Sequence, residues 1–279
     1  HDSYSVPCRV GNWAEDEYMG ALLTAEHIAK AEKGMLTTQK MQATIGSAMS
    51  PVELSVAHPD GLVRFGDSVM LSNAQGGVLA TNPQLREEIS QHAFATSRTN
   101  PGREDVPCRR TCFRVVPHSG PAPEDGLVRF GMSIGLVSEG DSGEELHLQS
   151  MRYNMTNMNF SRSVRGAERK NAVNMVIEPS WQTAWEVVLL DPQELAQLRS
   201  EGQPVPANTY VALRHKSSQT NLCSDTCSLR NQYGVEFEVS GFTDVEVCKA
   251  EWGVRNSQGV GQSNHWAFTT AAPPAAPPA

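Results

Sequence analysis

No apolar run in the 279 residues comes near the roughly 18 that a membrane-spanning helix needs, so no membrane partner is expected. Positive charge is in deficit: 23 lysines and arginines face 31 aspartates and glutamates, a net charge of −8. That balance argues against a general binder of nucleic acid or of acidic lipid surfaces. Cysteine is sparse. The six, at 8, 108, 112, 223, 227 and 248, are even in number, yet a chain long enough for a full core needs no disulfide framework. Two pairs share a C-x-x-x-C spacing, Cys108/Cys112 and Cys223/Cys227. Zinc knuckles are tighter and keep further ligands nearby, so reduced thiols are expected and no metal.

Catalytic signatures are thin as well. The eight histidines never form an H-E-x-x-H motif. No G-K-[ST] follows the Gly76-Gly77 pair, which reads as a hairpin turn rather than a phosphate loop. No G-x-S-x-G motif of a serine-hydrolase elbow is expected. Nothing supplies the partnered histidine that would make Cys112 or Cys223 a nucleophile, and a lone cysteine on a strand is far more often packing. Neither an enzyme nor a cofactor site is expected.

What the chain does have is a repeat. Asp60-Gly61-Leu62-Val63-Arg64-Phe65-Gly66 returns letter for letter as Asp125-Gly126-Leu127-Val128-Arg129-Phe130-Gly131, 65 residues on. Such self-similarity outranks every other sequence signal. Each copy runs into an alternating strand, with Val69 and Leu71 in the first and Ile134 and Leu136 in the second. A degenerate third copy, from Val205 through Asn208, leads to Val211 and Leu213. Each unit then has an apolar strand past a polar turn (Val78-Leu79, Leu146 to Leu148, Leu222) and closes on an aromatic strand opened by Phe113, Trp185 or Trp266.

One unit of about four short strands cannot bury its apolar face alone, whereas three around an axis can close into a barrel without exposed edges. The expected fold is therefore mostly β: a β-trefoil over residues 51–270, with repeats at about 60–117, 125–190 and 205–270. Leu71, Leu136, Leu213, Phe113, Trp185 and Trp266 should be buried near one axis. A sugar-binding trefoil usually repeats Q-x-W, which is missing around Trp185 and Trp266.

The flanks differ in texture. Residues 1–50 read as an extended and helical arm, with an amphipathic helix over 14–33 carrying Met19, Leu22, Leu23 and Ile28 and stopped by Gly34. Residues 35–50 suit helix or loop equally. Residues 83–107, with a helical pattern at 84–93 before a polar loop, and the Asn/Met-rich stretch 151–178 read as long insertions. The second is either a solvated loop or a basic surface for an acidic partner. A short helix is expected from Pro192 to Arg199, and 271–279 is an Ala/Pro-rich tail.

Several blocks carry a resemblance: Arg9-Val10-Gly11-Asn12-Trp13-Ala14-Glu15-Asp16, Phe65 through Leu71, Glu201 through Asn208, Tyr210 through His215, and Asn264-His265-Trp266. Together they resemble the cilia- and flagella-associated protein 161 family, and the third unit is similar to a MIR-type trefoil repeat. The resemblance implies a non-enzymatic structural protein of the cilium or flagellum, without cofactor, on the luminal wall of the A-tubule of axonemal doublet microtubules. Its implied partners are α/β-tubulin and neighbouring inner proteins. Residues 83–107 and 151–178 stand outside it. Competing readings are a MIR-like domain of a secretory-pathway protein and a carbohydrate-binding lectin.

For a wall-bound protein the candidate interface residues are Arg9 and Trp13 in the arm and Arg162, Arg165, Arg169 and Lys170 in the basic stretch, since buried Trp and Arg most often dominate interfaces. Trp13 has a competing role as a packing staple on the barrel itself.

Overall fold

The computed structural model describes residues 13–82, 91–92, 94–97, 106–140, 143–152, 160–165, 168–191, 194–249 and 255–271. The chain divides into two compact units, His1–Ser47 and Ala48–Ala279.

The first unit is built on α1 (Trp13–Glu32), followed by α2 (Thr37–Ala48) across the stretch whose sequence suited helix or loop. Glu15 and Asp16 occupy the first turn of α1 and Lys30 the last, each at the end where the helix dipole favours its charge. Gly34 ends the helix at φ +67°, and the Met35 N–H donates back to the Lys30 carbonyl at 2.8 Å, closing the left-handed cap. Met19, Leu22, Leu23 and Ile28 are exposed.

The second unit is β-rich. Its first segment holds β1 (Ser68–Asn73), β2 (Gly77–Ala80), β3 (Gln91–His92), β4 (Phe94–Ser97) and β5 (Cys112–Pro117). The next holds β6 (Ser133–Glu139), β7 (Glu145–Met151), β8 (Phe160–Arg165), β9 (Glu168–Val176) and β10 (Trp185–Val188). After α3 (Glu194–Ser200) come β11 (Tyr210–His215), β12 (Leu222–Asn231), β13 (Gly234–Gly241), β14 (Val245–Lys249), β15 (Arg255–Val260) and β16 (Trp266–Thr269).

Six of these strands close on themselves. β1 pairs with β5, β5 with β6, β6 with β10, β10 with β11, β11 with β16, and β16 returns to β1, every pair antiparallel. The result is a closed six-strand barrel, and each segment supplies its opening and closing strand. The other main strands form hairpins, β2·β4, β7·β9 and β12·β13, which meet where β13 pairs with both β4 and β9.

The repeated heptamer seals the opposite end. The Val63 N–H donates to the Val205 carbonyl at 3.0 Å, Val205 to Val128 at 2.9 Å, and Val128 to Val63 at 3.0 Å, a ring of backbone hydrogen bonds. A second ring runs from Phe65 to Gly126, Phe130 to Gln203 and Ala207 to Gly61, at 2.8 to 2.9 Å. In the third segment these partners run from Gln203 to Ala207. The last residue of each copy, Gly66, Gly131 or Asn208, has positive φ and donates to the closing strand of its own segment, at Val115, Val187 or Phe268. Asparagine is among the side chains that accept this left-handed conformation most readily.

The alternation read from the sequence now has a direction. Val69 and Leu71, Ile134 and Leu136, and Val211 and Leu213 all face one buried cluster with Phe113, Trp185 and Trp266. Trp185 and Trp266 each spend their single N–H inside the core, on the Leu148 carbonyl at 2.8 Å and the Leu222 carbonyl at 2.9 Å. On the other side of the wall Met70, Val78 and Cys112 form a small second cluster with Val52 and Leu54.

Two expectations about insertions are corrected. Residues 151–178 are not one loop, because β8 and β9 pair with each other and β9 joins β7 and β13 in the hairpin end. Residues 91–92 are strand rather than helix, and 94–97 lie between β2 and β13, so tertiary pairing overrides the local helical pattern. Residues 83–90 and the tail 272–279 lie outside the described residues.

Candidate partner interface

A cleft of about 250 Å³ is lined by Cys112, Arg109, Arg114, Glu139 and Glu145. Its charges answer one another: Arg109 contacts Glu139 at 3.1 Å and Arg114 pairs with Glu145. Burial pushes the Cys112 thiol up to about 12, the nearby Cys108 reinforcing the shift, so it stays protonated and unreactive near neutral pH. Cys108, Cys112, Cys223 and Cys227 are outside any disulfide. Among the described residues no group of three or more His, Cys, Asp or Glu side chains could hold a metal, and no helix is long and apolar enough to cross a membrane.

The G-x-S-x-G spacing does occur, as Gly131-Met132-Ser133-Ile134-Gly135, correcting the expectation that no such motif was present. Ser133 opens barrel strand β6, not a strand-to-helix elbow, and among the described residues its buried Oγ has no hydrogen-bond partner to act as a base.

Charge is used instead as internal bracing. Asp60 accepts the Leu62 N–H at 3.1 Å and binds Arg64 at 2.8 Å, and Asp125 does the same with Leu127 and Arg129. The backbone donor, then the arginine, holds each aspartate below the ordinary carboxylate range, burial opposing them. Arg64 reaches on to the Asp125 carbonyl and Arg129 to that of Gly202, stitching copy to copy.

The hairpin end buries its charges. Arg110 grips Glu236 with two nitrogens, at 2.6 and 3.1 Å, both side chains only 4% exposed. The guanidinium also lies 3.8 Å from the Tyr233 ring centre, and Asn231 donates to the same carboxylate at 2.6 Å. Period-2 alternation in Val235-Glu236-Phe237-Glu238-Val239 would turn the glutamates to solvent, but Glu236 and Glu238 are buried and Val235 is exposed.

His215 is a buried titratable group. Nε2 meets the Gln182 carbonyl at 2.8 Å, so it carries the proton, and Nδ1 accepts from Ser218 at 2.8 Å. Burial pushes its pKa down, the Gln182 contact opposing it. The unfolded chain therefore binds the extra proton first, and stability is lost as pH falls through about 6.5 towards the lower folded value. The melting temperature should be flat above neutrality and drop towards pH 5. His215→Gln should flatten part of that slope, with His147, also pushed down by burial, accounting for another part. Scanning calorimetry across the range checks it.

The predicted interface residues separate. Arg9 lies outside the described residues, and Trp13 is the first residue of α1. Arg162 and Arg165 fall on β8 and Arg169 on β9, so their backbone forms a paired ribbon rather than a loop. Lys170 is a correction. It is 2% exposed, with its ammonium 4.9 Å from the Phe242 ring centre, because β9 enters the packed hairpin end there. A buried cation cannot serve an exposed basic surface. A residue missed by the sequence reading is Trp181, which is 66% exposed on the connection before β10.

Comparison with known proteins adds the family context. A profile of the cilia- and flagella-associated protein 161-like domain matches residues 49–257. A Danio rerio protein of the name cilia- and flagella-associated protein 161 is 32% identical, over 97% of this chain and 89% of its own length. A Bos taurus protein of the same name is 24% identical, covering 97% and 83%. A solved Caenorhabditis elegans protein of unknown function shares the fold with a TM-score of 0.52 at 12% identity, covering 76% of this chain and 98% of its own.

Proposed function

Because the chain belongs to the cilia- and flagella-associated protein 161 family, we propose that it is a structural protein of the axoneme, seated on the luminal wall of the A-tubule of doublet microtubules. The coarser role, association with cilia and flagella, comes with the family. The observation that carries the reading is the similarity along nearly the whole chain, arm and barrel together. In this reading α/β-tubulin and neighbouring inner proteins are the partners, and the chain works by binding rather than by catalysis. The largely buried, unreactive Cys112 and the mutually paired charges of its cleft support that part.

We also infer that the barrel is a β-trefoil of three pseudo-repeats. The two backbone rings, each drawing one donor from every segment, support it. Such a barrel is a rigid block with few degrees of freedom to lose on docking, which suits a wall component.

Deleting residues 1–47 tests how the parts divide. The core cluster is drawn entirely from residues 63–268, so the truncated chain should keep its cooperative unfolding transition. The cut belongs at 47 because the Ala48 and Ser50 carbonyls accept from Arg110 and Arg109. In cilia, the full chain should stay with the axoneme after detergent extraction and leave only at high salt. A folded truncated chain should leave earlier. Release of the full chain by detergent alone would contradict the wall-bound reading.

A further inference from the structure

We propose that Trp181, with Ile177 and Glu178 beside it, is a docking knob that inserts into an apolar pocket bordered by a basic side chain on a neighbouring protein of the axonemal wall. The inference rests on the reading above and names a contact surface for it.

The knob is rigid before any partner arrives. Ser180 caps the 3₁₀ turn Trp181–Thr183 by accepting the Gln182 N–H at 3.2 Å, while the Ser180 N–H donates to Thr183 Oγ1 at 3.1 Å. His118 binds the Ser180 carbonyl at 2.8 Å, and buried His215 binds that of Gln182 at 2.8 Å. All these contacts fix the backbone, and the indole they present is left in solvent. Ordering entropy is thus lost on folding rather than on binding.

The fold itself does not ask for a tryptophan there. The third segment has the same element, a 3₁₀ turn Gln262–Asn264 directly before its closing strand. The two turns end alike, Ala184 at φ −84°, ψ 116° and His265 at φ −86°, ψ 114°. Trp185 and Trp266 follow them as equivalent core residues. Yet the position matching Trp181 is held by exposed Gln262, so a polar side chain satisfies this backbone.

The surroundings define the partner's chemistry. Ile177 is 59% exposed, and Glu178 is exposed and makes no ion pair among the described residues. Two exposed apolar side chains within five residues of sequence, with a carboxylate between them that is unpaired among the described residues, fit an apolar pocket with a lysine or arginine at its rim. Large aromatics placed this way are the side chains whose truncation weakens interfaces most.

The test uses the full chain expressed in cilia in place of the native protein. Trp181→Gln borrows the residue of the sister turn and should melt within a few degrees of wild type. It should nonetheless be held about tenfold or more weakly, appearing largely in the detergent-soluble fraction, as loss of an interface aromatic gives. Glu178→Lys should shift in the same direction, and Gln262→Ala should behave as wild type. Retention of Trp181→Gln at the wild-type level would overturn the surface alone. Retention of Glu178→Lys would overturn the basic rim. Detergent release of wild type would remove the wall-bound reading and this surface with it.

Discussion

Trp185→Ala is expected to lower the free energy of unfolding by about 3–5 kcal/mol, the cost typical of removing a large aromatic from a packed core. The side chain is fully buried in the barrel cluster, stacks at a tilt on His215 with ring centres 5.0 Å apart, and donates to the Leu148 carbonyl. Truncation leaves a cavity and an orphaned acceptor together. Trp185→Phe separates the two effects: it keeps most of the volume but strands the carbonyl, for about 1–3 kcal/mol. Against a domain stability of about 5–15 kcal/mol, the alanine variant should retain little margin. Urea titration followed by circular dichroism measures both. A loss below about 1 kcal/mol for alanine would mean that Trp185 is not a core residue.

Glu236→Leu should cost about as much, roughly 3–5 kcal/mol, for a different reason. The substitution removes no great volume, but it leaves the Arg110 guanidinium buried without its carboxylate. Thr81 still accepts from Nε at 3.1 Å and Tyr233 still offers its ring face, neither of which replaces a counter-charge. Changing both partners, Arg110→Met with Glu236→Leu, should recover much of the loss, since a buried ion pair is often no better than a hydrophobic pair of similar volume. A double-mutant cycle by denaturant unfolding reads the coupling. Additive losses would show that the pair does not interact in solution.

These two sites differ in how readable they were. Trp185 was legible by its place in the repeat, because it opens the aromatic strand that closes its segment, as Phe113 and Trp266 mark the closing strands of theirs. The heptamer was legible for a physical reason: its Asp-Gly turns, its buried valine and its final left-handed residue each do a job that few residue types can do. Even the degenerate third copy kept Val205 and Asn208, the residues on which the backbone geometry depends.

Arg110 and Glu236 are 126 positions apart, and neither sits in a motif. Alternation along β13 would by itself point the glutamates outward, since a half-buried strand has one wet face. Here β13 has β12 along one edge and β4 and β9 along the other, and residues of both faces are buried, Glu236 and Glu238 on one and Val239 on the other. The same crowding inverted the reading of Lys170, whose basic neighbours in sequence suggested a surface. Trp181 was hidden by its neighbour: in Ser180-Trp181-Gln182-Thr183-Ala184-Trp185 it is the second tryptophan that carries the repeat. Setting that segment against Gly261-Gln262-Ser263-Asn264-His265-Trp266, 81 residues later, isolates the first as the difference.

The most direct test of the proposed placement is electron cryo-tomography of intact cilia with and without this chain, averaged over the doublet repeat. The expected result is the loss of one barrel-sized density from the luminal wall of the A-tubule, restored when the chain is re-expressed. An unchanged A-tubule lumen in cilia that lack the chain would contradict it.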